Sequence, residues 1–253
     1  MCGRFVITSP PSALRQMFGY AEQPNFPPRH NIAPTQPIPV VMLENGGRHF
    51  RLMRWGLLPA WVKDPASFTL LINARSETVL EKPAFKNAMR RRRCLIPADG
   101  YYEWHLTDGR KRAYFIHRRD GHPLAFAGLA ETWSGPNGEE VDTAAILTTA
   151  ASADLATLHH RVPVSLAPAD FERWLDGATT NSHAALALLM PPAIGEFAWH
   201  EVSTRVNHVA HDDAQLILPI TPEQQAAEAP KPKTPRRKAI ADKSDDDGQG
   251  SLF

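Results

Sequence analysis

Hydrophobic and polar positions change period several times along the 253-residue chain, and each change marks a predicted element. Residues 2–8 have the composition of a short strand, which would hold the chain start in the fold. Ser9-Pro10 then looks like a helix cap with proline at the first helical position. Leu14, Met17 and Phe18 supply an i, i+3, i+4 face, and Gly19 closes the helix. Residues 21–39 form a proline-rich loop. Strands are predicted at 39–43 and 50–55, joined through Asn45-Gly46-Gly47, a strong hairpin signal. An aromatic-rimmed loop, Trp55 to Trp61, follows. The short apolar run at 70–73 stops at the polar cluster Asn73-Ala74-Arg75-Ser76-Glu77, and a helix over 84–92 ends in Arg90 to Arg93.

Short strands at close spacing come next, over 94–96, 101–106, 113–117, 124–129 and 144–148. Turns at Asp108-Gly109, Asp120-Gly121 and Gly135 to Gly138 separate them. A helix over 152–158 leads into His159-His160-Arg161-Val162-Pro163. Helices over 169–175 and 182–189 and strands at 197–202 and 216–219 complete the globular part. Hairpins outnumber regular βαβ alternation, so the expected class is α+β: one β-rich domain over 2–220 with flanking helices. From 221 the chain turns to Ala, Pro, Lys and Asp, which cannot bury a core, and a disordered tail is expected over 221–253.

Composition changes this picture little. A formal net charge of +1 excludes a global field that would steer the chain to polyanions or membranes, so a polyanion site must be local. Two cysteines, Cys2 and Cys94, and no signal-like opening point to a reducing cytosol rather than a disulfide framework. No apolar run approaches the ~20 residues of a membrane span, and the scattered histidines lack metal-ligand spacing. No cofactor, no metal and a monomer are expected.

Candidate chemistry begins at Met1-Cys2-Gly3-Arg4-Phe5. Removal of Met1 would leave Cys2 with an α-amine and a thiol on adjacent carbons, of ordinary pKa about 7.7–8 and about 8.5. A 1,2-aminothiol condenses with an aldehyde to an imine and then closes a five-membered thiazolidine, which an internal cysteine cannot do. From this stretch alone, Met1-Cys2 reads first as an accident of where the gene begins. Asn73 and Arg75 lie at the end of an apolar strand, where side chains project into a cleft. Glu103, between aromatic residues in Tyr101-Tyr102-Glu103-Trp104, is either an acid/base with a raised pKa or an outward-facing strand residue. His159, opening His-x-Arg-x-Pro, is either an acid/base or a helix cap. Arg4, Arg75, Arg161 and Arg90 to Arg93 can meet phosphates, with Trp55, Trp61 and Trp104 stacking on bases. The four-arginine run is as readily a solvated helix end.

Taken in order, MCGRF (1–5), NIAPTQ (31–36), RWGLLPAW (54–61), INARSET (72–78), RRCLIPADGYYEW (92–104), ILTTAAS (146–152) and HHRVPV (159–164) resemble the SOS response-associated peptidase family across about residues 2–220. That resemblance implies recognition of abasic sites in single-stranded DNA. It also implies covalent capture of the ring-opened sugar as a thiazolidine on the N-terminal cysteine. By motif match Cys2 supplies amine and thiol, Asn73 positions the chain start, Glu103 relays protons and His159 assists sugar ring-opening. His160 stands where the family carries an acidic or amide residue, and the Arg-x-Pro spacing selects His159. The same match places Arg4, Arg75, Thr149 and Arg161 at phosphates, with Asn31 also on the DNA side. Pro34, Trp61 and Trp104 would stack or wedge against flanking bases.

Two other readings are an N-terminal-cysteine peptidase acting mainly on its own Met1, and a non-covalent binder of modified or single-stranded DNA. The terminus Gln249-Gly250-Ser251-Leu252-Phe253 resembles the bacterial sliding-clamp pentapeptide, with Gln249, Leu252 and Phe253 at its defining positions and Gly250 where leucine is usual.

Overall fold

In the computed structural model, which describes residues 2–107 and 109–228, the short apolar runs become two packed sheets. The elements are β1 (Phe5–Ile7), α1 (Pro11–Phe18), β2 (Arg29–Ile32), β3 (Pro37–Glu44), β4 (Gly47–Trp55), β5 (Asn73–Arg75) and α2 (Pro83–Arg91). They continue with β6 (Arg93–Ala98), β7 (Gly100–Thr107), β8 (Arg110–Arg118), β9 (Leu124–Ser134), β10 (Glu140–Ala150) and β11 (Arg161–Pro163). Last come α3 (Phe171–Leu175), α4 (Ser182–Leu186), β12 (Phe197–Val202) and α5 (Pro222–Ala227). The β-rich α+β class expected from the sequence is what forms. One sheet runs β12-β8-β7-β1-β2; the other contains β11, β10, β4, β3, β6 and β9, with β5 added parallel to β10.

Alternation along the strands explains the layers. Phe5 and Tyr101, paired across β1 and β7, face the second sheet. There the Phe5 ring meets Trp55 edge-on at 5.1 Å and Phe126 at 6.1 Å, and Tyr101 meets Phe126 at 6.1 Å. On the outer face of the first sheet, Val6, Tyr102, Phe115 and Val202 form a smaller cluster closed by Val206 and Leu216. Asn45 at φ 49° and Gly46 at φ 78° make the β3–β4 turn, the positive backbone angles that this hairpin needs. Gly19, at φ 70°, ends α1 by donating its N–H to the Arg15 carbonyl.

Several expectations are corrected. The first helix begins one residue later, with Pro10 as the cap and Pro11 inside, while Ser9 bonds Asp99. The expected helix over 152–158 shortens to a 3-10 turn, Leu155–Thr157, opened by the Asp154 carboxylate on the Leu155 N–H. No strand forms at 216–219. Asp213 caps a 3-10 turn, Ala214–Ile217, that delivers Leu216 alone to the outer cluster and leaves Leu218 exposed. Trp55 belongs to the core, fully buried with Nε1 donating to the Ile72 carbonyl, so it cannot stack on bases. Arg93 is neither solvated nor facing outward: it is 2 % exposed and donates to the carbonyls of Met89, Trp174, Asp176 and Thr180.

Residues from 221 continue as α5, opened by a Thr221–Gln224 capping box and ended at Glu228, which accepts from the Thr204 N–H. The remainder of the expected tail, with Gln249, Leu252 and Phe253, lies outside the described residues. Among the described residues no helix is long and apolar enough to cross a membrane. None of their His, Cys, Asp and Glu side chains gather into a group able to hold a metal ion.

Candidate functional site

Cys2 is held by strand pairing that continues past β1: the Tyr102 N–H donates to the Arg4 carbonyl at 3.0 Å, drawing the chain start along β7. The Cys2 side chain is fully buried, and Sγ lies 3.8 Å from the Arg4 carbonyl. Burial, and then the Glu103 charge, push its thiol pKa far above the usual range. From the other sheet, β5 brings Asn73 alongside Ile146 of β10, and Asn73 Nδ2 donates to the Cys2 carbonyl at 2.8 Å. Its Oδ1 is buried with no hydrogen-bond partner.

Glu103 sits on β7 two residues from Tyr101, on the face that looks into the sheet-to-sheet gap. It is 5 % exposed, and Oε1 accepts from the Trp104 N–H at 3.2 Å. Its charge acts on three neighbours, opposing ionisation of the Cys2 thiol and the Tyr101 phenol and favouring protonation of His159. The Tyr101 hydroxyl is buried without a partner.

His159 follows the Leu155–Thr157 turn and precedes β11. Burial lowers its pKa below the ordinary histidine value, against the opposing pull of Glu103. Nδ1 lies 3.0 Å from the Arg161 amide nitrogen and 3.1 Å from the Arg161 carbonyl oxygen. It can accept from the first with the proton on Nε2, or donate to the second with Nε2 deprotonated. Each tautomer therefore has a backbone partner, which suits a group that takes and returns a proton. His160 stacks on the His159 ring at 4.3 Å and is itself exposed.

Cys2, Asn73, Glu103 and His159 thus converge from separate parts of the chain on one end of the gap between the sheets. A family model described as SOS response associated peptidase (SRAP) matches residues 1–209. The chain belongs to the SRAP family. It is 33 % identical over 221 residues to the abasic site processing protein YoqW of Bacillus subtilis, covering 86 % of this chain and 99 % of that one. It is 32 % identical to the abasic site processing protein HMCES of Gallus gallus, covering 87 % and 78 %. Among solved structures, a Bacteroides thetaiotaomicron protein shares the fold at TM-score 0.78 and 21 % identity, over 87 % of this chain and all of that one. A phage-related protein of Bordetella bronchiseptica matches at TM-score 0.65 and 30 % identity, over 79 % and 94 %.

Around this cluster of the SRAP chain the remaining candidates divide by what they touch. Arg75, Trp61 and Pro34 present surface: Arg75 is exposed at the end of β5, Pro34 is half-buried, and Trp61 is 57 % exposed and meets Phe68 edge-on. Phe68 also lines an open, mainly apolar cleft of about 570 Å³ with Thr35, Arg54, Leu70 and Trp133. Trp104 is half-buried, with Nε1 donating to Asn207 Oδ1. Thr149 is 5 % exposed on β10. Three further candidates have internal partners. Asn31 is fully buried and donates to the Val206, His208 and His211 carbonyls. Arg4 donates to Asn31 Oδ1 and the Val206 carbonyl. Arg161 grips both oxygens of Glu77 at 2.9 Å and the Thr148 carbonyl at 2.6 Å. Two side chains beside the centre escaped the sequence reading, Glu77 and His105. His105 was available from the period of two that starts at Glu103.

Proposed function

We propose that this SRAP protein recognises abasic sites in single-stranded DNA and captures the ring-opened sugar as a thiazolidine on Cys2 after loss of Met1. The observation that carries the reading is the Asn73–Cys2 hydrogen bond beside a carboxylate whose charge acts on both Cys2 and His159. The names of the relatives, abasic site processing proteins, support the substrate.

The α-amine acts first because the thiol can close the five-membered ring only by adding to an imine already formed, and burial with the Glu103 charge disfavours the thiolate. His159 assists opening of the hemiacetal by moving a proton through Nε2. The amine then attacks the aldehyde carbon, forming a C–N bond while the carbonyl oxygen takes a proton. Both protons on that oxygen come from the nitrogen, the second carried by Glu103, so that water leaves and the imine remains with Glu103 returned to the carboxylate. Sulfur adds to the imine carbon as its proton passes through Glu103 to nitrogen. One aldehyde and one aminothiol thereby become one thiazolidine and one water. The imine also acidifies the protons on the adjacent sugar carbon, which permits elimination of the 3′ phosphate. Ring closure removes the imine and suppresses that cleavage. Release of Met1 by the same site is the one peptidase step the reading requires. Arg75 and Arg161 would hold backbone phosphates, and Trp61 with Pro34 the flanking bases. The folded domain would be tethered to the sliding clamp by Gln249, Leu252 and Phe253.

Mixing the protein with a single-stranded oligonucleotide carrying an abasic site, then denaturing, tests the reading. A heat-stable shifted band is expected, absent in Cys2→Ala. Cys2→Ser, which keeps the amine but closes no thiazolidine, should nick the strand slowly and yield a borohydride-trapped adduct. Native protein that gives no shifted band refutes covalent capture, and Cys2→Ser that gives neither nick nor adduct refutes the amine-first order.

A further inference from the structure

The four central residues come from two sheets. Cys2 and Glu103 ride on the β1–β7 side, whereas Asn73 and His159 are held by β5 and by the segment leading into β11, both hydrogen-bonded to β10. Proton transfer between Glu103, the substrate and His159 therefore depends on how the sheets are fixed to each other at this end. Hydrogen bonds between described residues that cross there include two from side chains to the opposite backbone. One is Asn73 Nδ2 to the Cys2 carbonyl. The other joins His105 Nδ1 and the Leu158 carbonyl, 3.0 Å apart.

We propose that His105 is a positioning residue that sets the separation between Glu103 and His159; this rests on the role given to those two groups above. His105 is two residues beyond Glu103 on β7, so one strand face carries both the carboxylate and the tether. Leu158 caps the Leu155–Thr157 turn and immediately precedes His159. A terminal carbonyl of such a turn needs an outside donor, and His105 provides it across the gap. The carbonyl can only accept, so Nδ1 carries the hydrogen, and this holds for the neutral and the charged ring alike. The tether thus requires a donor at the Nδ1 position rather than a charge. Asparagine places its amide nitrogen at that position; leucine fills similar space with no donor.

The test compares His105→Leu and His105→Asn with native protein by three readouts. The first is the crosslinking rate on the abasic oligonucleotide, alone and in a His159→Ala background. The second is thiazolidine formation with a short aliphatic aldehyde, followed by intact mass. The third is the His159 imidazole titration by NMR. His105→Leu should slow DNA capture about tenfold, since loss of alignment costs one to two orders of magnitude. It should add nothing once His159 is absent, leave the aliphatic aldehyde reaction unchanged, and shift the His159 titration, because both its burial and its distance from Glu103 change. His105→Asn should restore rate and titration to within about threefold of native. An unchanged His159 titration in His105→Leu, or rate losses that multiply with those of His159→Ala, would overturn the proposal. Failure of native protein to react with either aldehyde would instead overturn the capture chemistry beneath it, while the NMR readout still decides whether His105 positions His159.

Discussion

Asn73→Ala offers the cleanest separation of positioning from stability. The native side chain gives the Cys2 carbonyl one donor at 2.8 Å and carries a second polar atom, Oδ1, that no protein group satisfies. Removing the donor costs about 0.5–1.5 kcal/mol, and removing the unsatisfied Oδ1 returns part of that. The net loss is about 1 kcal/mol, which for a domain of this size lowers Tm by about 2–4 °C. A protein of ordinary stability, about 5–15 kcal/mol, remains more than ~99 % folded after such a loss. Depletion of folded protein therefore cannot reduce the rate measurably. Freed from Asn73, however, the Cys2 backbone is no longer pinned to the second sheet, and a misplacement of about 1 Å at a reacting centre costs about 100-fold. The assay is a denaturing-gel time course with excess abasic oligonucleotide, alongside anisotropy with an undamaged strand. Expected are a rate lower by about two orders of magnitude, an undamaged-strand affinity within about twofold of native, and the small Tm shift. A rate within about threefold of native would show that the Asn73–Cys2 bond does not position the nucleophile.

Three other outcomes follow from the geometry. Trp61 is 57 % exposed and touches Phe68 only edge-on. Trp61→Ala should therefore leave Tm almost unchanged while weakening single-strand binding by about 1–3 kcal/mol, read by anisotropy; equal affinity would remove Trp61 from the DNA surface. Glu77 occupies the Arg161 fork and is 49 % exposed. Glu77→Gln should lower stability by no more than about 1 kcal/mol and tighten DNA binding at low salt, because one negative charge leaves the phosphate path; weaker binding would mean that Glu77 aligns Arg161 rather than competing for it. Glu22 accepts from the Phe50 N–H and from His49, which hold its pKa at about 2, below the usual carboxylate value. A depressed carboxylate contributes stability present above its unfolded pKa of about 4.3 and lost as pH falls towards 2. Acid unfolding of Glu22→Gln should accordingly be shallower than that of native protein over that window, and coincident curves would refute the assignment.

Elements with strong local signals were legible. The Asn45-Gly46 turn fixes the β3–β4 hairpin, and Phe197–Val202 occupies its predicted span. Among the strands of three or four residues β1 was read, whereas β2, β5 and β11 are too short for a period to show, and their partners lie far along the chain. Residues 152–158 and 216–219 show why apolar content alone misleads, since Asp154 and Asp213 commit both segments to tight turns. At the centre, motif order singled out Cys2, Asn73, Glu103 and His159, whereas no local pattern announced their convergence. Nor could charge distinguish arginines that face solvent from those with internal work. Arg4 and Arg93 spend their donors on carbonyls of distant segments, and only the fold places those carbonyls within reach.

The seam between the sheets also explains why this end of the gap leaves hydrogen bonding incomplete. Asn73 Oδ1 and the Tyr101 hydroxyl are both buried and unpartnered, and Tyr101 feels the charges of Cys2 and Glu103. Each such atom costs the folded chain about 1–3 kcal/mol relative to a bonded one. A purely structural seam would be expected to close them, as the opposite face does, where the Tyr102 hydroxyl donates to the His30 carbonyl at 2.7 Å. Tyr101 and Tyr102 are adjacent, and both are nearly fully buried; they differ in the face they occupy. Asn73 Oδ1 and the Tyr101 hydroxyl lie on the side that holds the thiol, the carboxylate and the histidine. A ligand bearing hydroxyl groups, as an opened sugar does, would supply the missing partners and recover part of that cost on binding. Buried polar atoms without a hydrogen-bond partner also occur elsewhere, at His30 Nδ1 and Arg92 Nε, so what marks this pair is its place beside the thiol and the carboxylate, where a polar substrate can offset the cost.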